Sequence, residues 1–138
     1  MGVVLDTNIL VAFLLTRGYT VSAILDGWEE RALDLLTSPQ LIAEVKRTLD
    51  KPELHRRIRP EAAQALLEAL EKDAVQVPGS LILQGVTPDP DDDVIVSCAV
   101  EGNADYIVSR DAHLLDLEEY EGIPVLEPRD FVRVLTAR

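Results

Sequence analysis

The chain begins with a short apolar run, "GVVLD" (residues 2–6), that stops abruptly at Asp6. So brief a Val-rich run, ended by a charge, predicts a buried strand. Asn8 then precedes "ILVAFLL", which predicts a helix with Asn8 as its cap. In "VSAILDGWEERAL" the apolar residues Val21, Ile24, Leu25 and Trp28 recur at the spacing of one helix face. "LDLLTS" (33–38) predicts a second strand, and Ser38 with Pro39 supplies an N-cap and first-turn proline for the helix "PQLIAEVKRTLD". A strongly amphipathic helix, "RPEAAQALLEALEK", starts at Pro60, and the alternating "AVQVPGS" (74–80) predicts a third strand. "DYIVS" (105–109) and "IPVLEP" (123–128) predict two more strands, with "PRDFVRVLTA" as a closing helix.

One segment fits two patterns. "DVIVSCAVEGNA" (93–104) has the β-branched run of a strand but the length and terminal Gly102 of a buried helix. A helix over 92–101 makes strands and helices alternate, the pattern of an α/β fold with a mainly parallel sheet. In such sheets, sites lie beyond the carboxyl ends of the strands.

Composition narrows the picture. The 138 residues suit a single domain (1–138), and 47% apolar content is enough for a real core. No 18-residue apolar stretch is present and "MGVVLDTN" has no basic leader, so neither membrane insertion nor secretion is expected. The lone Cys98 sits in an apolar run and reads as a buried thiol in a reducing cytoplasm. A net charge of −12 counts against nucleic acid. Its distribution softens that objection. Residues 46–59 carry Lys46, Arg47, Lys51, Arg56, Arg57 and Arg59 against two acids, whereas 89–121 hold eleven acids and one base, Arg110. A basic docking surface beside an acidic pocket fits this asymmetry; two solvated faces fit it too.

The acids are where the chemistry lies. Asp6 ends the first strand, and Asp111 follows the strand "DYIVS", so parallel pairing puts both on one rim. Asp89, Asp91, Asp92 and Asp93 stand at the start of the 92–101 helix, and Glu44 borders the apolar face of its own helix, defined by Leu41, Ile42, Val45 and Leu49. Each has a plain structural reading: a turn or cap for Asp6 and Asp111, a pair with Arg47 for Glu44, a dipole-facing cluster for the aspartates. Together they suit a hard cation, Mg²⁺ or Mn²⁺, and no His/Cys set has zinc-like spacing. A calcium loop fails, because Val94 and Val100 stand where Gly and Glu are required. His113 reads as a loop or capping histidine and His55 has no ligand partner. Trp28, Tyr106 and Phe131 read as core or interface, and Phe13, Leu14, Ile24 and Trp28 as core or dimer packing.

At "VVLDTNIL", "SPQLIAEVKRTL", "DPDDDVIVSCAVEGNADYIVSRDAHLL" and "IPVLEPRDF", together spanning Val3 to Phe131, the chain resembles the PIN domain, the metal-dependent ribonuclease fold of VapC-type toxins. The resemblance implies a three-layer α/β/α sandwich around about five mainly parallel strands. It carries the family's acidic quartet onto Asp6, Glu44, Asp93 and Asp111. The third acid of the family usually stands directly before the apolar helix, about eighteen residues upstream of the last, which selects Asp93. Asn8, Asp91, Asp92 and Ser109 become outer-shell candidates. The implied activity is Mg²⁺- or Mn²⁺-dependent RNA hydrolysis leaving 5′-phosphates, with Asp93 or Asp111 as proton acceptor. Arg17, Lys46, Arg56, Arg57 and Arg110 are the candidate RNA-binding residues. The resemblance also implies an antitoxin partner and a homodimer or larger homo-oligomer. Two other functions compete. One is a PIN fold that binds without cutting. The other is an Asp-based phosphate enzyme of the haloacid-dehalogenase type, disfavoured because Asn8 replaces its second Asp and no Lys follows Lys72.

Overall fold

The computed structural model describes Met1–Arg138. The strands are β1 (Gly2–Leu5), β2 (Asp34–Thr37), β3 (Val75–Gln76), β4 (Tyr106–Val108), β5 (Glu119–Tyr120) and β6 (Ile123–Leu126). They form one sheet in the order β3-β2-β1-β4-β6-β5, parallel throughout except where β5 pairs antiparallel with β6. The helices are α1 (Thr7–Thr16), α2 (Tyr19–Glu29), α3 (Pro39–Leu49), α4 (Pro52–His55), α5 (Pro60–Lys72), α6 (Pro90–Glu101), α7 (Ala112–Leu115) and α8 (Pro128–Thr136).

Side-chain alternation along the strands divides the core into two layers. Val3 and Leu5 of β1, Leu35 of β2 and Val108 of β4 pack with residues of α1, α2, α3, α5 and α8 on one face. Val4, Leu36, Ile107 and Val125 pack with Ile95, Val96 and Ala99 of α6 and Leu114 of α7 on the other. The three-layer arrangement is therefore as expected, with six strands in place of about five. The extra one, β5, is a two-residue strand in the acidic "LEEYEG", a stretch without an apolar run to betray it. No single helix is long and apolar enough to cross a membrane. Tyr106 and Phe131 pack ring to ring in the core, with centroids 5.7 Å apart.

The ambiguous 93–104 segment is helical, because α6 buries almost all of its length against the sheet and needs every backbone group paired internally. It starts at Pro90, earlier than expected, with Asp89 as N-cap accepting from Asp91 N at 2.9 Å. At its other end a Cβ on Gly102 would stand 2.5 Å from Leu36 Cδ2 and 2.7 Å from Val77 Cγ2. Any larger residue at 102 would have to displace these side chains.

The start of α1 corrects the expectation for Asn8. The helix begins at Thr7 and its cap is Asp6, whose Oδ1 accepts from Asn8 N at 3.4 Å; the Asn8 side chain is exposed. Ser38 caps α3 as expected, accepting from Leu41 N at 3.3 Å, with Pro39 in the first turn.

Candidate metal centre

The sheet order places the topological switch point between β1 and β4, where crossovers leave in opposite directions and a crevice opens at the carboxyl ends. Asp6 follows β1 and Ser109 follows β4, and Asp6 N donates to Val108 O at 3.0 Å, locking the two strand ends together. Ser109, fully buried, links both acids of this rim. Its hydroxyl donates to Asp6 Oδ2 at 2.7 Å and accepts from Asp111 N at 2.9 Å. Asp111 caps α7 as well, accepting from His113 N at 2.8 Å through Oδ1. Its structural and site readings therefore coexist.

From α6, Asp92 rather than the expected Asp93 stands beside Asp111 on this rim. Successive helical residues are turned by about 100°, so two adjacent aspartates face different neighbours. Asp93 faces the 79–87 loop. Its Oδ1 accepts from Thr87 N at 2.7 Å and its Oδ2 from Gly85 N at 3.0 Å. Below it on the same stripe, Ser97 accepts from Leu83 N at 2.9 Å and Glu101 from Gly79 N and Ser80 N at 3.0 Å each. Asp93 is thus a loop anchor with both oxygens engaged. Asp92 shares its face with Ile95, Val96 and Ala99, which pack on the sheet, and so its carboxylate leans over the rim toward Asp111 and Asp6.

The electrostatics agree with that placement. Burial, then the charges of Asp111, Asp89 and Asp6, push the Asp92 carboxyl from the usual carboxylate range up to about 7, with His113 opposing. Asp92 Oδ2 is buried without any hydrogen-bond partner, on a side chain only 9% exposed. A buried carboxylate oxygen left unpaired is costly and calls for a cation or proton. Burial also raises the pKa of Asp6; Ser109 and the Asn8 backbone N–H pull it down, and Asp111 adds to the rise. Glu44 on α3 is raised by burial and by the charges of Asp91 and Asp6, against the Thr7 hydroxyl and Arg47.

The structure therefore brings Asp6, Asp92 and Asp111 within mutual electrostatic reach, with Glu44 in reach of Asp6 and Asp91, while Asp93 is bonded to the 79–87 loop. His113, a capping histidine by its sequence context, belongs to the cluster as well. Ligand atoms of Asp92, Asp111 and His113 all lie within 4.8 Å of one another. The chain does carry a signal for Asp92: Asp93, Ser97 and Glu101 form an i, i+4, i+8 polar stripe, leaving Asp92 on the apolar face. An oxygen-rich donor set with an orphaned buried oxygen fits a hard divalent cation.

The basic candidates lie on the surface. Arg17, Lys46, Arg56, Arg57 and Arg110 are exposed. Lys46 Nζ is 3.4 Å from Glu71 Oε1, and the Arg17 guanidinium lies 5.0 Å from the centre of the Phe13 ring. A cavity of about 740 Å³ between α1, α2 and α5 is lined by Phe13, Leu14, Trp28 and Leu66 and includes none of the four acids. Ile24 is wholly buried and so belongs to the core rather than to a surface.

Fold and rim together define an α/β protein with a carboxylate cluster at the switch point of its sheet. The profile of the family described as "PIN domain" matches residues 2–113, and the chain belongs to that family. Among solved structures it is similar to VapBC2 from Rickettsia felis bound to a promoter DNA fragment, at 15% identity and TM-score 0.61, covering 92% of this chain and 98% of that one. It is similar to FitAcB from Neisseria gonorrhoeae at 16% identity and TM-score 0.55, with the same coverages of 92% and 98%. A third neighbour is Mycobacterium tuberculosis VapC20, described as a sarcin-ricin-loop-cleaving toxin, at 12% identity and TM-score 0.56, covering 88% of this chain and 98% of that one. No curated protein matches the sequence significantly.

Proposed function

We propose that this PIN domain is a divalent-metal-dependent endoribonuclease, with Asp6, Glu44, Asp92 and Asp111 holding Mg²⁺ or Mn²⁺. The observation that carries the reading is the unpartnered, buried Asp92 Oδ2 facing Asp111 across the rim. A bound divalent ion supplies Lewis acidity, lowering the pKa of water and offsetting charge that develops on the phosphodiester.

The chain's own groups do the rest. Ser109 fixes the Asp6 carboxylate and the Asp111 backbone with one hydroxyl, so two acids from adjacent strands keep one geometry. Asp93, Ser97 and Glu101 strap the 79–87 loop along α6, which sets the rotation at which Asp92 meets the rim. Both oxygens of Asp93 accept backbone N–H groups of the 79–87 loop, which holds its carboxylate against that loop. Glu44 is half-buried with its pKa raised by burial and by the Asp91 and Asp6 charges, so a cation held among these acids would offset the cost of its ionised form. Exposed Arg56 and Arg57, with Arg17 and Arg110, are the proposed holders of RNA phosphates; Lys46 shares its charge with Glu71.

The similarity to VapBC2 and FitAcB supports extending the proposal to a toxin with a protein antitoxin, and we propose self-association as well. The partly buried Phe13, Leu14 and Trp28 beside the α1–α2–α5 cavity are the apolar residues available for such packing. A silent binding module keeps the same fold and cation site without turnover.

The test is incubation of pure protein with varied RNAs and Mn²⁺ or Mg²⁺, beside Asp6→Asn, Asp92→Asn and an EDTA control. Cleavage that EDTA and either substitution abolish, leaving 5′-phosphate ends, is expected. Cleavage surviving both substitutions overturns the mechanism, and no cleavage of any RNA by a protein that binds Mn²⁺ favours the silent module.

A further inference from the structure

Within the cation site proposed above, on which this inference rests, we infer that His113 is a nitrogen ligand that makes the site prefer Mn²⁺ over Mg²⁺. The geometry is specific. His113 Nδ1 lies 3.8 Å from Asp92 Oδ2 and 3.8 Å from Asp111 Oδ1. Those separations exceed the roughly 2.7–3.2 Å of a hydrogen bond. They also lie inside the limit for atoms sharing an ion: two donors each about 2.1 Å from one cation stand no more than about 4.2 Å apart. The imidazole therefore neither bonds directly to the carboxylates nor stands clear of them. It closes the third side of a gap that two acids open.

Its placement follows from the backbone. Asp111 Oδ1 accepts from His113 N, which fixes the first turn of α7 and sets the ring on the rim beside the acid that positions it. The side chain is about half exposed, at 51%, so Nε2 can keep its proton toward water while Nδ1 faces the acids. The Asp92 oxygen it faces is the buried one with no partner. Two oxygens and a nitrogen thus converge from α6, the β4–α7 turn and α7.

Metal preference follows from the donor types. Mg²⁺ demands oxygen and keeps its waters, whereas first-row transition ions accept imidazole nitrogen, Mn²⁺ the most weakly of them. Carboxylates alone discriminate weakly between Mg²⁺ and Mn²⁺. Adding Nδ1 raises affinity for Mn²⁺ and offers little to Mg²⁺. The contrary role, an imidazolium acting as counter-ion to the acids, makes the opposite demand, since a positive ring repels either cation.

The experiment compares full-length wild type with His113→Ala, titrating Mn²⁺ and Mg²⁺ separately at pH 8 by calorimetry and recording pulsed EPR on the Mn²⁺-loaded protein. Alanine suits a helix, and the Asp111 cap bonds only the backbone of residue 113, so folding is retained and is checked by thermal melting. Wild type is expected to show ¹⁴N coupling to Mn²⁺ that His113→Ala lacks. The variant is expected to lose ~10-fold or more in Mn²⁺ affinity, with Mg²⁺ affinity changed less than about 2-fold. Unchanged affinities, or a rise for both cations in the variant, overturn the inference while leaving the acidic site standing. Failure of wild type to bind either cation overturns the site itself, and the inference with it.

Discussion

Asp92 and Asp93 are adjacent, identical in chemistry and both buried, yet their neutralisation should change stability in opposite directions. In the metal-free protein above pH 7, Asp92 is held ionised against burial and three nearby carboxylates, which lift its pKa from 3.8 to about 7. At 1.36 kcal/mol per unit, that displacement corresponds to at most ~4 kcal/mol. Water and salt at the open rim screen the repulsion, so Asp92→Asn is expected to stabilise by about 1–2 kcal/mol. For a chain of this size that is a rise in Tm of roughly 3–6 °C. Asp93→Asn instead replaces one of two oxygens that accept from Gly85 N and Thr87 N by an NH₂ facing a donor. Leaving a buried group unpaired costs about 1–3 kcal/mol, more where the missing acceptor is charged. The assay is thermal and urea unfolding at pH 8 with EDTA, repeated with excess Mn²⁺. Mn²⁺ should raise the Tm of wild type and of Asp93→Asn but not that of Asp92→Asn. If Asp92→Asn is the destabilised variant and Asp93→Asn the one blind to Mn²⁺, the assignment of the third acid is reversed.

The raised pKa values of Asp6, Glu44 and Asp92 make metal-free stability depend on pH. An acid whose folded pKa is raised binds its proton more tightly folded than unfolded, so its penalty is absent below the unfolded value near 4 and complete above the folded one. For Asp92 the window runs from 3.8 to about 7. The Tm in EDTA should fall as pH rises through that window, and saturating Mn²⁺ should flatten the fall; a Tm rising steadily from pH 5 to 8 in EDTA would refute the reading. Ser109→Ala removes the hydroxyl shared by Asp6 Oδ2 and Asp111 N, and should cost about 1–3 kcal/mol in urea unfolding. A loss below the error of that measurement would show that the link does not hold the rim. Replacing Arg56 and Arg57 by Ala should weaken RNA binding and flatten the plot of log affinity against log salt by about 0.7 for each phosphate no longer neutralised. An unchanged slope would make 46–59 a solvated face.

Much of the fold is legible in the chain because each layer has its own period. The strands after residues 1, 33 and 105 are short apolar runs whose alternate residues enter opposite core layers, and Ser38–Pro39 announces α3 by capping chemistry alone. The 93–104 segment is resolved only by the alternation of its neighbours, since a helix buried on nearly all sides has no amphipathic period to read. β5 and the single-turn α4 are invisible in the pattern because two to four residues carry no period at all. At the site, Asp6, Glu44 and Asp111 can be placed from strand ends and helix faces. Linear spacing favours Asp93, and spacing cannot register the 100° turn that puts Asp92 beside Asp111 and Asp93 against the 79–87 loop. The polar stripe Asp93–Ser97–Glu101 encodes that turn. A lone histidine such as His113 gains meaning only once α7 sets it beside two acids from elsewhere in the chain.

The most direct measurement is an anomalous difference map from crystals of the wild-type protein soaked in Mn²⁺. The account requires a peak on the rim within coordination distance of Asp92 and Asp111, beside Asp6, with Asp93 still bonded to the 85–87 backbone. A peak coordinated by Asp93, or an empty rim at Mn²⁺ concentrations that support RNA cleavage, would contradict it.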